Sequence, residues 1–334
     1  MHRIPQIDGL RAVAILMVFA THALHIPLLW LGVDLFFVIS GYLITGILLR
    51  LKQPTSPNKG YWRPFYSRRF RRIIPPYAGF LIVLSLLFRV PWAHLWYWYV
   101  FFGANFALAL GKVTVAAMTP LWSLAVEEQF YLIWPSVVLF WNRETLRRIA
   151  LAVIVVSPIL RALCTPLFSS HFPIYSLTIF RADTLAAGAY IALSQSLDER
   201  WIERHNRLAC AGIAAAAVLF GVLTLFPSFR TGANSILFNS VGYSLSVILF
   251  GAALTCVLGL REGFVYRILT SRPVRYLGLI SYTFYLYHVA VLLEVEQRVH
   301  STVLVAAVAF VITVAISAIS WHFFESRILK MRFT

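Results

Sequence analysis

Ten long apolar runs divide this sequence of 334 residues and leave little chain between them. A helix that crosses the hydrocarbon core of a bilayer needs roughly 20 mostly apolar residues. Only 13% of the residues are charged, about half the share of an average soluble domain, which excludes a soluble globular protein. Disorder is also excluded, because 26 Phe, 15 Tyr and 10 Trp would not stay solvated. The sequence therefore predicts an all-α, polytopic transmembrane helix bundle that forms a single membrane-embedded domain over residues 1–334.

The predicted spans are the segments in which apolar residues continue for about the length of a membrane helix. They are Leu10–Leu28, Leu31–Leu49, Tyr77–Trp98, Leu121–Trp141, Ile149–Leu163, Ile179–Ser194, Leu208–Phe226, Leu237–Leu260, Leu277–Leu293 and Val303–Phe324. The first run begins too near the N-terminus and continues too far to be a cleaved signal peptide. We therefore expect it to remain as the first span.

The stretch Trp92–Leu110 is apolar enough to cross a membrane, but its first part is rich in Trp and Tyr. Such aromatic residues concentrate at the membrane surface, so we expect segment 92–119 to lie on the outer face. With ten spans and both termini in the cytoplasm, 23 of the 29 basic residues lie on the inner side, many of them in a cytoplasmic basic loop at 51–76. The net charge of +16 then reflects the positive-inside tendency, and we expect the bilayer rather than nucleic acid as a partner.

Two ionisable residues of the first span, Arg11 and His22, lie on one helix face. Their separation of eleven residues is within about 20° of three full turns, and it places them about 16 Å apart along the axis. We expect Arg11 at the cytoplasmic end and His22 slightly past the membrane centre. Ionisable groups at this depth indicate function. The alternative is structural: a His that donates to a neighbouring backbone carbonyl and an Arg that snorkels to the surface.

Four arginines, Arg68, Arg69, Arg71 and Arg72, come just before the third span. Their guanidinium groups are forked donors that suit phosphate. The alternative is a positive-inside anchor or a site for anionic lipid.

The fourth span opens with two adjacent carboxylates, Glu127 and Glu128, which must find partners or be protonated inside an apolar helix. Trp122 and Tyr131 could supply donors. The two carboxylates point about 100° apart, so only one of them can face a given partner. An ion pair with Arg181 of the sixth span is the structural alternative.

Other polar residues of the spans are candidates for support of the substrate or of the core. Asp34 of the second span could also be an outer-edge residue, and Arg181 and Asp183 open the sixth span. His288 lies near the outer end of the ninth span, where a structural role is common. Ser40 and Ser123 are conceivable acyl carriers, although nothing in the sequence supports that role.

The sequence lacks the motifs of several well-known classes of active site. No Gly-x-Ser-x-Gly elbow, HExxH, Walker loop or GxGxxG is present, so soluble hydrolase, zinc protease, ATPase and dehydrogenase functions have no support. Cys164, Cys210 and Cys256 are an odd and scattered set, which argues against a disulfide framework or a metal cluster and favours small buried hydrophobes. We expect no metal.

The remaining polar groups suit one physical scheme. A phosphorylated carrier docks on the arginines, and its flexible arm extends into the bundle. His22, if neutral in a low-dielectric interior, removes the proton from an acceptor hydroxyl. Nearby donors stabilise the oxyanion of a tetrahedral acyl-transfer intermediate.

The segment Asp8-Gly9-Leu10-Arg11-Ala12, followed by His22, resembles the N-terminal signature of the acyltransferase-3 family of membrane acyltransferases. Five further segments resemble motifs of the same family and follow one another in the order expected for it. They are Gly32–Ile44, Arg68–Pro75, Trp122–Tyr131, Arg181–Gly188 and Ser281–His288. The resemblance covers essentially the whole chain. The string Trp-Ser-Leu-x-Val-Glu-Glu-Gln-Phe-Tyr is its most specific part.

The resemblance implies ten spans and transfer of an acyl group, most often acetyl from acetyl-CoA, to a hydroxyl of an envelope carbohydrate, lipopolysaccharide or another exported glycan. By position, Arg11 and His22 match the family's essential pair, and Arg69 and Arg72 match its loop arginines. Some members carry a C-terminal hydrolase-like domain outside the membrane, and a sequence that stops at Thr334 implies transfer without one. Glu325 is followed here by Ser-Arg where members often have Arg-Pro, which weakens a role for Glu325.

The sequence thus predicts a multi-pass O-acyltransferase of the bacterial inner membrane, with acetyl-CoA or another acyl-CoA as donor and a carbohydrate or glycolipid as acceptor. The four arginines would hold the CoA phosphates, His22 would be the base, Arg11 would position the donor, and Glu127 or Glu128 would orient groups in the core. The alternatives are acylation of a macrolide or another small molecule, a proton-coupled or glycan transporter, and a structural subunit. Whether copies associate into a homo-oligomer stays open.

Overall fold

The computed structural model describes residues 4–52, 60–88, 90–113, 115–229, 232 and 234–331. Residues 53–59 of the predicted basic loop, and Thr334, lie outside them. The described chain is helical throughout. Its α-helices are α1 (Pro5–Leu24), α2 (Gly32–Leu51), α3 (Trp62–Leu87), α4 (Trp92–Val100), α5 (Ala104–Ala109), α6 (Leu121–Phe140), α7 (Arg143–Cys164), α8 (Phe172–Ser176), α9 (Thr178–Leu197), α10 (Trp201–Leu223), α11 (Tyr243–Gly259), α12 (Phe264–Thr270), α13 (Arg272–Glu296), α14 (Thr302–Ser320) and α15 (Ser326–Lys330).

Eight helical segments within the described ranges are long and apolar enough to cross a membrane, which makes the chain a multi-pass membrane protein. They are α1, α2, α3, α7, α10, α11, α13 and α14, some with the turn beside them. Helices α6 and α9 coincide with two more predicted spans and have 20 residues each, but they carry more polar side chains. The prediction of an all-helical membrane bundle is confirmed. The count of ten spans and the cytoplasmic location of both termini stay predictions.

The bundle has a buried centre and a lipid-facing periphery. Among these eight segments α2 is the most enclosed, with 72% of its most apolar window buried, and α1, α6, α9 and α11 pack against it. In α10 the corresponding share is 17%, because this helix turns most of its apolar side chains outward. An apolar exterior is expected where lipid rather than water is the solvent. Polar groups can therefore collect only in the centre.

Two glycines let the central helices α2 and α9 touch backbone to backbone. A Cβ on Gly41 would lie 1.9 Å from the oxygen of Leu185, and one on Gly188 would lie 1.9 Å from the oxygen of Val38. Real Cβ atoms do not approach an oxygen this closely, so each site admits glycine alone without a shift of the helices. Such small residues are what membrane helices use for close packing.

Helix α3 corrects the predicted third span. It begins at Trp62, so Arg68–Arg72 is helical rather than part of a loop. Tertiary contacts hold the polar first half of α3 in place, and sequence periodicity does not show such contacts. The hydroxyl of Tyr61 donates to Pro135 O of α6 at 2.8 Å, and that of Tyr66 donates to Tyr131 O at 3.3 Å. Helix α1 is also displaced from its prediction: it starts at a proline and stops before His25, whose φ is 52°.

The aromatic segment after α3 forms two short helices instead of one span. Helix α4 has 9 residues and α5 has 6, and Phe102 between them has a φ of 50°. Neither helix is long enough to cross a bilayer. The outer-face location of this segment stays a prediction.

The cysteines differ from expectation. Cys210 of α10 and Cys256 of α11 are joined in a disulfide, because the two helices pack side by side and bring together residues 46 positions apart. Cys164 is free. The prediction that all three serve as buried hydrophobes is therefore wrong for the pair.

Candidate active site

Helix α13 holds the side chain of Arg11 inside the bundle. Nη2 of Arg11 donates to Ser281 Oγ at 3.1 Å, and Nε donates to Gly278 O at 3.3 Å. The two helices come this close because residue 278 is glycine: a Cβ there would lie 1.8 Å from the oxygen of Asp8. The guanidinium group is also 5.9 Å from the ring centre of Phe36. These contacts argue against an Arg11 that snorkels to the surface.

A small cavity of about 80 Å³, which we call the inner cavity, lies beside this guanidinium group. Eight of the predicted site residues line it although they come from four helices: Arg11, Ser40, Arg69, Arg72, Ser123, Glu127, Glu128 and Tyr131. Residues that the sequence analysis did not single out, Ser281, Tyr282 and Tyr285 of α13, complete its polar wall. Their position inside the Ser281–His288 motif was the available signal.

Glu127 is the carboxylate at the centre of the inner cavity. The hydroxyls of Ser40 and Tyr131 lie beside it and hydrogen-bond to each other. Arg11 and Arg69 are the positive charges that face it. That Tyr131 donates to this carboxylate stays a prediction. Burial of this carboxylate is therefore compensated by neighbouring hydroxyls and by two guanidinium groups, as a buried charge requires.

Glu128 points to a different part of the same cavity. Arg69 is the opposite charge nearest to it, and the carboxylate of Glu127 is its like-charged neighbour. The structural alternative, an ion pair of these carboxylates with Arg181, is not formed, because Arg181 binds Asp34. The ring of Trp122 packs edge-on against Phe37, and its role as their donor stays a prediction.

A larger cavity of about 890 Å³, which we call the vestibule, adjoins the inner cavity. Arg11, Arg69 and Arg72 line both cavities, so the two meet at these guanidinium groups. Arg50 and Arg143 line the vestibule alone. The volume is near the upper end of the roughly 300–1,000 Å³ that is typical of small-molecule sites. Five arginines thus surround a space that is large enough for a nucleotide.

The four arginines of α3 that the sequence analysis singled out divide into two pairs. Arg69 and Arg72 are three residues apart and share the face that lines the cavities. Arg68 is exposed, and neither it nor Arg71 belongs to the lining of either cavity. Arg71 instead donates to Ser67 O at 3.1 Å. The prediction that all four face one ligand is wrong, because the run is helical.

His22 lies in the last turn of α1 and contacts His288 of α13. Nδ1 of His22 is 2.9 Å from Val18 O and 3.2 Å from Nε2 of His288. Nδ1 of His288 is 2.7 Å from Tyr285 O. The depth of His22 in the membrane, just past its centre, stays a prediction.

The hydrogen-bond partners of the two rings assign their tautomers. A carbonyl oxygen only accepts, so Nδ1 of each ring carries the hydrogen. His22 Nδ1–H then donates to Val18 O and toward the lone pair of His288 Nε2. In this tautomer Nε2 of His22 has a lone pair, which is what a general base needs. The structural alternative for His22, donation to a backbone carbonyl, is present and is compatible with that role.

Tyr285 is the residue shared by the inner cavity and the histidine pair. Its hydroxyl is 2.7 Å from Ser123 Oγ and 3.0 Å from Pro120 O. Its ring centre is 5.5 Å from that of His288. His22 is not among the residues that line the inner cavity or the vestibule. The Tyr285–Ser123 hydroxyl pair therefore stands at the end of the inner cavity that is nearer to the histidines.

Four buried charges form a separate cluster. Asp34 is paired with Arg181, and its Oδ2 accepts from Ser246 at 2.7 Å. Asp183 is paired at 2.7 Å with Arg161 of α7. None of the four lines the inner cavity or the vestibule. Asp34 is fully buried and lies in the first turn of α2, so a position near the outer end of the second span stays a prediction.

The charge cluster joins helices that have few other polar contacts. Arg161 also donates to Phe180 O at 2.7 Å and to Ser244 Oγ at 3.2 Å. The guanidinium carbon of Arg181 is 4.2 Å from the ring centre of Tyr243. Sequence analysis overlooked Arg161, although an arginine within an apolar run is a sufficient signal. The cluster supports the core rather than a ligand.

The comparisons with known proteins agree with this geometry. The model of the acyltransferase-3 family, described as an acyltransferase domain, matches residues 4–322. This chain belongs to the acyltransferase-3 family. No solved structure matches it.

The similar proteins of the acyltransferase-3 family are O-acetyltransferases by name. The chain is 28% identical to peptidoglycan O-acetyltransferase OatA of Listeria monocytogenes, 30% identical to putative peptidoglycan O-acetyltransferase YrhL of Bacillus subtilis and 27% identical to O-acetyltransferase OatA of Staphylococcus aureus. Each alignment covers 99% of this chain and 56–58% of the relative. The chain therefore spans little more than half the length of these proteins.

Hydrogen bonds to two hydroxyl groups give Glu325 a structural role in this acyltransferase-3 chain. Its Oε1 accepts from Thr283 Oγ1 at 2.7 Å and from Ser320 Oγ at 2.9 Å. The carboxylate thus joins α13 to the turn after α14, and it does not line either cavity.

Proposed function

We propose that this chain transfers an acetyl group from acetyl-CoA to a hydroxyl of a carbohydrate of the bacterial envelope. One observation carries the proposal: a vestibule lined by arginines adjoins a small cavity lined by Arg11 and Glu127. Forked guanidinium donors suit phosphates, and a narrow cavity suits the acyl end of the donor. The family and the names of the relatives support the same reaction.

The donor would enter from the cytoplasm, with its phosphates on Arg69 and Arg72 and its thioester in the inner cavity. A single water molecule needs about 10–15 Å³ of cavity volume. The inner cavity of about 80 Å³ has room for an acetyl group and the end of the thioester arm. A long acyl chain would not fit. The size therefore favours acetyl among the acyl groups.

His22 would act as the general base through Nε2. It takes the proton of the acceptor hydroxyl, the oxygen attacks the thioester carbonyl, the carbon–sulfur bond breaks, and the sulfur leaves with a proton as the thiol. Such proton transfer contributes typically about 10²–10⁴-fold to the rate. Arg11 would stabilise the oxyanion, and Glu127 would orient Arg11. The reactants meet when the Tyr285–Ser123 hydroxyl pair opens.

The acceptor would approach from the outer face, next to His22 and His288. Peptidoglycan, lipopolysaccharide and another exported glycan all present suitable hydroxyls, and the names of the relatives favour peptidoglycan. We place the chain in the inner membrane with both termini in the cytoplasm. A lipid bilayer surrounds it, and no metal takes part in the proposed steps.

Reconstituted protein with isotope-labelled acetyl-CoA tests the reaction. We expect label to move to glycan fragments in the wild type and to fall at least about 100-fold in His22→Ala. His25→Asn is the matched control, because His25 is exposed at the end of the same helix and should leave transfer unchanged. Full activity of a correctly inserted His22→Ala protein would remove His22 from the mechanism.

Mass spectrometry of envelope glycans identifies the acceptor. Cells with and without the gene should differ by an acetyl ester on one glycan class. An unchanged set of glycans, together with label on an added macrolide or another small molecule, would support the alternative acceptor class instead.

A further inference from the structure

The arginines of the vestibule lie in two groups at different distances from the inner cavity. Arg11, Arg69 and Arg72 line both cavities and form the inner group. Arg50 and Arg143 line only the vestibule and form the outer group. The outer group lies at helix ends: Arg50 is in the last turn of α2, and Arg143 is the first residue of α7.

Local geometry positions the two arginines of the outer group differently. Nη1 of Arg143 donates to Ser196 O at 3.0 Å. The guanidinium group of Arg50 lies over Gly46 of its own helix, where a Cβ would be 3.7 Å from Nη1. Gly46 also lines the vestibule, so a larger residue there would narrow the space beside Arg50.

Positive charge accumulates around the outer group. Lys52 donates to Val138 O at 2.9 Å and to Trp141 O at 2.7 Å. Its burial and the neighbouring charge of Arg143 lower the pKa of Lys52. Glu144, which follows Arg143, is paired with Arg147 at 3.0 Å. Among the described residues that line the vestibule, Asp8 is the one carboxylate against five guanidinium groups.

We propose that Arg50 and Arg143 bind the ribose 3′-phosphate of the CoA donor, whereas Arg69 and Arg72 of the inner group bind its diphosphate. This assignment rests on the proposed function. CoA carries its phosphates in two separate places, a diphosphate next to the pantetheine arm and a monophosphate on the ribose. Two separate arginine groups in one vestibule match these two places, with the inner group on the side of the acyl end.

The assignment distinguishes acetyl-CoA from 3′-dephospho-acetyl-CoA, which has the same thioester and the same arm. We expect wild-type kcat/KM to be about 10- to 100-fold higher for acetyl-CoA, since a hydrogen-bonded charge pair is lost with the phosphate. Arg50→Gln and Arg143→Gln should each lose most of that preference. They should lower kcat/KM for acetyl-CoA and leave it nearly unchanged for the dephospho donor.

Arg147→Gln is the matched control, because Arg147 lies one turn further along α7 and pairs with Glu144. It should keep the wild-type preference. Two results overturn the phosphate assignment but not the proposed function. They are equal use of both donors by the wild type, and an equal loss for both donors in the Arg50 and Arg143 variants. Transfer from neither donor, with no rise in the melting temperature on addition of CoA, overturns the assignment together with the proposed function.

Discussion

Replacement of Asp34 by Asn tests the buried charge cluster. Asp34 and Asp183 balance Arg161 and Arg181, and the side chains of both ion pairs are at most 2% exposed. Asp34→Asn keeps the size of the side chain and leaves one unbalanced positive charge in this low-dielectric interior. Breaking a buried ion pair by removing one member typically costs about 3–5 kcal/mol.

This cost corresponds to a large fall in melting temperature. One kcal/mol shifts the melting temperature by roughly 2–4 °C in domains of 150–250 residues, and by somewhat less in a longer chain. We therefore expect Asp34→Asn to melt roughly 6–10 °C below the wild type in detergent. Tryptophan fluorescence during heating, read together with size-exclusion profiles, measures the shift.

Asp198→Asn provides the matched control. Asp198 pairs with Arg204 at 3.1 Å, but the arginine is 64% exposed. Exposed pairs contribute about 0–1 kcal/mol, so the melting temperature should change by less than about 2 °C. The same chemical change is thus compared in a buried and in an exposed pair.

The double variant Asp34→Asn with Arg181→Gln restores charge balance. It should be less destabilised than the sum of the two single variants, because each single change leaves an unpaired buried charge. Two results would refute the reasoning: an Asp34→Asn protein as stable as the exposed-pair control, or a double variant whose loss equals the sum.

Three further predictions concern packing, the inner cavity and its support. Gly188→Ala should prevent the close approach of α2 and α9 and lower expression of folded protein, whereas Gly79→Ala, where no atom lies within 4 Å of the new Cβ, should be neutral or stabilising in the same assay. Glu127→Gln should lower kcat roughly 100-fold and Glu128→Gln clearly less, because Glu127 faces Arg11; equal losses in steady-state transfer would contradict this difference. Gln129→Leu should lower the free energy of unfolding by about 2–4 kcal/mol, since it leaves Phe102 O and Asn105 Oδ1 without their donor; thermal unfolding unchanged from wild type would contradict it.

The sequence by itself determined the class of the molecule and most of its helices. Apolar length and low charge require a membrane bundle, because no other fold hides so much apolar surface from water. The spacing of Arg11 and His22 placed both on one face of α1, and both do contact the same helix, α13. These conclusions rest on local periodicity, which is a property of the chain alone.

Only the tertiary structure decided which charges meet. Asp34 and Arg181 are 147 positions apart and pair across α2 and α9, whereas Glu127 pairs with neither. Arg50 and Arg143 join the vestibule because the ends of α2 and α7 come together. Side-chain partners depend on helix order and rotation, which are set by close contacts such as that of Gly41 with Leu185. The apolar pattern is nearly uniform around the central helices, so it carries no information about these rotations.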